Sequence, residues 1–283
     1  MTEPTDIRPQ NRHAVLLLPG LCGTPKELGA IPKVLSDSGY EVTIAHIPGY
    51  ADNKAAINWR KWIEETDRLF TEIREEADTV TIVGLSMGAT LALKLAEQRS
   101  DIDGVVLLSP ILRYDGWSMP WYLFMIRVAY WAGFRNWSWQ EKPPYGIANV
   151  ELRRRVQKAV EQGASSEVGA AFISARHLYQ AMGLMNDTLD SLHFVTVPTQ
   201  VIHAVDDETA APRNAEVILQ KIKSEKRKAI WLGDSYHIIT VDNEREVVVN
   251  ETMRFVEECR ISAQSQADFT KRKRRLKIKD RRG

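Results

Sequence analysis

Between positions 81 and 90 the chain reads Thr-Ile-Val-Gly-Leu-Ser-Met-Gly-Ala-Thr, and no other stretch restricts its fold so strongly. A short apolar run ends in Gly84-Leu85-Ser86-Met87-Gly88 and passes straight into Ala89 to Ala96, which has helical character. A chain that goes from strand to helix across one residue must turn sharply. Ser86 is therefore predicted to take a positive φ, with its hydroxyl standing clear of the backbone. A side chain at Gly84 or Gly88 would collide with the neighbouring strand and helix. The Met87 amide falls at a helix N-terminus, where unpaired N–H groups and the helix dipole favour negative charge. An exposed hydroxyl and one anion-binding amide are thus supplied locally. For Ser86 to act as a nucleophile, the rest of the chain must add a histidine, an acid and a second amide donor.

The elements around this turn alternate. Ala14 to Leu18 is a continuous apolar run closed by Pro19-Gly20, as expected of a strand buried on both faces. Thr24 and Pro25 open a predicted helix that reaches Ser38, with Thr24 as N-cap and Pro25 in the first turn. Glu41 to Ala45 reads as a strand, and Asn58 to Glu76 as an amphipathic helix carrying Trp59, Trp62, Ile63, Leu69, Phe70 and Ile73. Thr79 to Val83 leads to Ser86, and Gly104 to Leu108 is another short strand. From Ser109 to about Val197 no parallel strand is evident. That stretch holds Trp117, Trp121, Trp131, Trp137 and Trp139 and helical segments at 149–162 and 168–185. Alternation resumes with a strand at 200–204, a helix at 214–223, a strand at 228–232 and a helix at 244–259. The expected architecture is α/β, with about six mostly parallel strands, helices on both faces, and a helical insertion after the fourth strand. The expected division is a core of 1–110 and 196–262, an inserted cap of 111–195, and a basic tail of 263–283 without fixed structure.

Composition bounds the setting. The 283 residues suit one large domain with a subdomain. Met1 to Asn11 is polar with no apolar segment of a secretory signal, and no run approaches the roughly 18 apolar residues of a membrane span. Two distant cysteines, Cys22 and Cys259, form no disulfide framework, so a cytoplasmic location is expected. The net charge of +1 conceals an asymmetry, because nine of the 38 basic residues and one of the 37 acidic ones lie in 271–283. The body is acidic. The tail reads as a solvated terminus or as a weak electrostatic tether to an anionic surface, with no nucleic-acid partner expected.

In open α/β sheets the reactive groups gather after the carboxyl ends of the strands. That position holds Leu21 after the first strand, Ser86 after the third, Asp206 and Asp207 after the fifth, and His237 after the sixth. Of the six histidines, only His237 lies in the loop between the last strand and the last helix, where a base for Ser86 belongs. His203 reads as a packed core residue within a strand. Asp207 is favoured as the acid that orients the imidazole, since Pro212, five residues on, opens the next helix; Asp206 is the runner-up. The Leu21 amide is the expected second donor, in a loop where Gly20 and Gly23 let the backbone approach closely. Cys22 is expected to be a small packed side chain.

With these pieces in place the chain resembles the α/β-hydrolase superfamily, and within it the bacterial carboxylesterase and monoacylglycerol lipase group. The resemblance rests on Leu16 to Leu28, on Gly84-Leu85-Ser86-Met87-Gly88, on Asp207-Glu208 with Pro212, and on Tyr236 to Asp242. Pro19-Gly20 stands where the family usually has His-Gly. The insertion corresponds to the family's cap in position but not in residues. The resemblance implies hydrolysis of carboxylic esters with short- to medium-chain or lipid-like acyl groups, without metal or organic cofactor. Ser86, His237 and Asp207 would form the triad, and the Leu21 and Met87 amides the oxyanion hole. Trp117 and Trp121 are cap candidates for substrate contact, and the Trp-rich cap and basic tail are candidates for weak peripheral membrane contact. Acyl thioester cleavage and a non-catalytic binding role on the same fold remain as alternatives.

Overall fold

Side-chain alternation along the strands explains how the sheet is covered. The computed structural model describes residues 12–51, 57–140, 142–161 and 172–280; within these, the side chains of Trp121, Phe124, Ala267, Asp268 and of the residues from 270 on lie outside the described part. Strands β1 (His13–Leu18), β2 (Glu41–Ile44), β3 (Thr79–Leu85) and β4 (Gly104–Leu108) precede the insertion. Helices α1 (Ile31–Asp37), α2 (Trp59–Glu76) and α3 (Met87–Gln98) lie between them. The insertion contains a helical turn at Trp121–Met125, α4 (Ile126–Trp131), β5 (Ser138–Gln140), α5 (Val150–Glu161), β6 (Phe172–Ser174) and α6 (Ala175–Ser191). The chain closes with β7 (Thr199–Ala204), α7 (Arg213–Lys221), β8 (Arg227–Leu232) and α8 (Arg245–Asp280).

Six strands form one parallel sheet in the order β2-β1-β3-β4-β7-β8. Strands β1, β3, β4 and β7 are buried along their whole length, which is why their sequences are mainly apolar and why the polar residues they carry, among them Thr81, Gln200 and His203, are buried too. Leu16, Leu18, Ile82, Leu107 and Val201 face a core shared with α2, α3, α6 and α7. Val15, Leu17, Val83, Leu108 and Ile202 face the opposite core, closed by Ile31 and Leu35 of α1 and by Val248, Phe255 and Val256 of α8. Both faces are therefore helix-covered, and the sheet's carboxyl edge is left for loops.

Four features differ from the sequence reading. The helix expected from Thr24 to Ser38 is split into a helical turn at Pro25–Leu28 and α1, with Gly29 at φ 58 between them. A side chain there would meet the Thr240 carbonyl at 2.3 Å, so the break is where the His237-bearing loop abuts. The insertion also contains a two-stranded antiparallel ribbon, β5 with β6. Its last helix joins the rest of the insertion, where Tyr179 stacks on Tyr130 of α4, to the core. α6 packs on α2 and α3 in the core. Lys94 of α3, nearly buried, reaches Asp187 of α6 at 2.5 Å and Glu97 at 2.7 Å, fastening the two helices. Finally, the backbone of α8 stays helical to Asp280, through most of the stretch expected to lack structure. Among the described residues no helix is long and apolar enough to cross a membrane.

Candidate active site

β3 ends at Leu85 and α3 begins at Met87, so Ser86 alone makes the turn. It does so at φ 58 and ψ −118, the positive φ expected from the sequence. Its amide donates to the Leu108 carbonyl at 2.8 Å, so the strained residue is held by the neighbouring strand. The two glycines are steric necessities. A Cβ on Gly84 would sit 2.3 Å from the Gly88 carbonyl oxygen, and one on Gly88 would sit 2.1 Å from that of Leu18. The elbow is thereby pressed against the end of β1, which brings the loop after β1 beside Ser86.

The histidine and acid arrive from the far side of the sheet. His237 lies in the loop between β8 and α8, and its Nε2 is 2.9 Å from Ser86 Oγ. Its Nδ1 is 2.7 Å from Asp207 Oδ2. The other carboxylate oxygen of Asp207 accepts the amides of Thr209 at 2.9 Å and Ala210 at 2.8 Å. Burial pushes the Asp207 carboxyl up, but the His237 ring, with His203 and the Ala210 amide, outweighs it and holds its pKa below the usual carboxylate value. An ionised Asp207 can only accept, so Nδ1 carries the proton and Nε2 is left to accept from the serine hydroxyl. Asp206, the runner-up, is exposed, and its backbone carbonyl receives the Trp117 indole at 3.1 Å. His203 is wholly buried in β7 and donates from Nε2 to the Ala210 carbonyl at 2.9 Å. Burial lowers its pKa, in keeping with a neutral core residue.

Leu21 lies in the loop after β1, and Met87 opens α3. Met87 is the first residue of α3, so its N–H has no partner within the helix. In the loop after β1, the Cys22 amide donates to the Tyr50 carbonyl at 2.9 Å and the Gly23 amide to that of Gly20 at 3.0 Å. Among the described residues no acceptor takes the Leu21 amide. Cys22 is buried at φ 55 and serves the turn.

Sequence reading missed the polar frame that holds these groups. Glu208 Oε2 accepts the His237 amide at 3.2 Å. Asp242, fully buried, accepts the amides of Tyr236 at 2.9 Å, Ala148 at 2.7 Å and Asn149 at 2.8 Å, tying the histidine loop to the insertion. The Ile238 amide adds a bond to the Gly146 carbonyl at 2.8 Å. Glu27 is buried beneath the loop after β1 and accepts the Gly20 amide. The available signal was position, since Glu27, Glu208 and Asp242 all lie within the stretches that carry the family resemblance. Trp117 is at the rim, edge-on to Tyr236 with ring centroids 5.7 Å apart. The Trp121 side chain lies outside the described residues. Among the described residues no three His, Cys, Asp or Glu side chains are grouped to hold a metal ion.

An open parallel sheet with a strained serine, a histidine and a buried aspartate at its carboxyl edge defines an α/β-hydrolase. The chain matches the serine aminopeptidase (S33) family over residues 9–245, and it belongs to that family. It is 24% identical to the thermostable monoacylglycerol lipase of Bacillus sp. (strain H-257), over 85% of this chain and 89% of that one. It is 21% identical to a carboxylesterase of Bacillus subtilis (strain 168), over 86% of this chain and 92% of the relative. Among solved structures, the monoacylglycerol lipase of Paleococcus ferrophilus superposes with a TM-score of 0.73 at 18% identity, covering 87% of this chain and 94% of that one. The chain is thus an α/β-hydrolase of the lipase and esterase type.

Proposed function

We propose that this enzyme hydrolyses carboxylic esters of short- to medium-chain or lipid-like acyl groups through an acyl-enzyme on Ser86. The observation that carries the reading is the continuous hydrogen-bonded relay from Ser86 Oγ through His237 to Asp207. His237 Nε2 takes the hydroxyl proton as Oγ attacks the ester carbonyl. The Leu21 and Met87 amides stabilise the oxyanion, each contributing roughly 3 kcal/mol of transition-state stabilisation. His237 then gives the proton to the departing alcohol, and water activated by the same ring releases the acid. Asp207 keeps the imidazole in the required tautomer and stabilises the imidazolium.

The relatives' names, monoacylglycerol lipase and carboxylesterase, support an ester substrate. The insertion supports an apolar one. Trp117, Met125, Val128, Trp131 and Phe134 are all at least half exposed, an apolar stretch suited to an acyl chain or to weak contact with a lipid surface. Buried Cys22 and Cys259, neither of them in a disulfide, support residence in the cytoplasm.

A panel of p-nitrophenyl esters, monoacylglycerols, acyl-CoA thioesters and aminoacyl anilides tests the reading. Turnover is expected with p-nitrophenyl butyrate or octanoate and with monoacylglycerol. Turnover confined to the anilides or to the thioesters would overturn the ester assignment.

A further inference from the structure

The loop that presents Leu21 is built around a buried carboxyl group. Glu27 lies seven residues beyond Gly20, in the helical turn Pro25–Leu28, and is 2% exposed. Its Oε1 accepts the Gly20 amide, and the Thr24 amide faces the same carboxyl group and favours its ionised form, while the Glu27 amide donates to the Thr24 carbonyl at 3.1 Å. One side chain therefore grips both ends of the segment 20–24. Its middle is set by the Cys22 and Gly23 amides, bonded to Tyr50 and Gly20. Leu21 is left as the loop amide with no acceptor among the described residues. The fit is tight: a Cβ on Gly23 would stand 2.1 Å from Glu27 Oε1. A Cβ on Gly20 would lie 3.1 Å from that oxygen and 3.6 Å from Ser86 Cβ, so the carboxyl group and the serine flank the same glycine. On the other side the Thr240 hydroxyl, three residues after His237, donates to the Glu27 carbonyl. Burying a carboxyl group here is costly, and burial pushes its pKa up to about 7. A surface loop would not need it.

We propose that Glu27 is a positioning residue for the oxyanion hole: its carboxyl group clamps Gly20 and Thr24 so that the Leu21 amide stays aimed at the carbonyl oxygen attacked by Ser86. The proposal rests on the ester-hydrolase reading for its catalytic consequence, while the clamp itself is a property of the free protein. A misaimed donor affects the transition state more than substrate binding, so the signature is a loss in kcat with KM retained.

The test compares Glu27→Ala and the isosteric Glu27→Gln with the unaltered protein, using p-nitrophenyl butyrate kinetics and hydrogen exchange of the loop amides. Glu27→Ala is expected to lower kcat by about 30- to 100-fold with KM within about threefold. Glu27→Gln, which keeps one acceptor, should recover most of that loss. The Gly20 and Thr24 amides should exchange faster in Glu27→Ala, with protection in β1 and β3 unchanged. The proposal is overturned if both variants fold and keep kcat within about threefold of the parent, or if loop exchange is unchanged in Glu27→Ala. Should the parent protein cleave no ester, the function reading fails, and the exchange data alone decide whether Glu27 holds the loop.

Discussion

The carboxyl edge of the sheet and the exposed part of the insertion are built on opposite principles. At the sheet edge, Asp207, Glu208, His237 and Asp242 are buried polar groups, each with hydrogen-bonded partners. Along 117–134 of the insertion, apolar side chains stand in the open, Trp131 at 84% and Phe134 at 69% exposure. A satisfied buried network permits one geometry, because displacing any member leaves a polar group without its partner in a low-dielectric site. An exposed apolar stretch specifies no geometry of its own and adapts to what covers it. On the proposed function, rate depends on the first region and substrate preference on the second. The two are joined at Asp242, which holds the histidine loop and the insertion backbone at Ala148 and Asn149 with a single carboxylate.

Several changes would break this contrast. Ser86→Ala should reduce kcat on p-nitrophenyl butyrate by about 10⁵-fold or more while the melting temperature is kept. Asp207→Asn should cost about 10⁴-fold, because an amide facing Nδ1 no longer enforces the tautomer that leaves Nε2 free to accept. Asp206→Asn, beside it in sequence but exposed, should change kcat by less than about threefold, as expected of a surface substitution. Equal effects from the two aspartates would contradict the geometry.

A thermodynamic counterpart concerns Glu27, which faces His237 and Tyr50 inside the protein. Burial raises its pKa from 4.5 to about 7, so the folded state binds a proton that the unfolded chain has already released in that window. Its contribution is fully present below pH 4.5 and is lost as pH rises through 7, about 3 kcal/mol in all. Urea unfolding of Glu27→Gln should show a flatter pH dependence between 4.5 and 7.5 than the unaltered protein; identical slopes would contradict a buried, titrating carboxyl group. The smallest effect is expected at the rim. Trp117→Ala removes an exposed ring that touches the Asp206 carbonyl and Tyr236. It should raise KM for octanoyl over acetyl esters by roughly threefold to tenfold with kcat little changed. A kcat loss comparable to that of Asp207→Asn would place the insertion in the rate-determining geometry and erase the distinction drawn here.

How far each region was legible in the sequence follows from the same contrast. The strands β1 and β4 announce themselves as apolar runs, Ala14–Leu18 and Gly104–Leu108, because both of their faces are covered, and β3 and β7 do so less cleanly because Thr79, Thr81, Gln200 and His203 interrupt them. Ser86, Asp207 and His237 were legible because each follows a strand in the order this fold requires. Glu27, Glu208 and Asp242 were not. A carboxylate in a sequence looks like solvated surface, and its burial depends on elements far away in the chain. The break at Gly29 was hidden for the same reason, since it answers to the Thr240 backbone more than 200 residues later. In the insertion, helical periodicity located α5 to within one residue at each end but set α6 six to seven residues too early, with 168–171 of that expectation outside the described residues. It could not separate α6, which lies on the core, from α4, whose flanking apolar residues are exposed, because both carry apolar side chains at helical spacing.

The central claim is that Ser86, activated by His237, is the nucleophile. Intact-mass analysis after brief treatment with a fluorophosphonate, followed by peptide mapping, tests it most directly. One adduct per chain on the peptide containing Ser86 is expected, absent from Ser86→Ala and strongly slowed in Asp207→Asn. A folded protein that takes up no probe, or an adduct that persists in Ser86→Ala, would contradict the account.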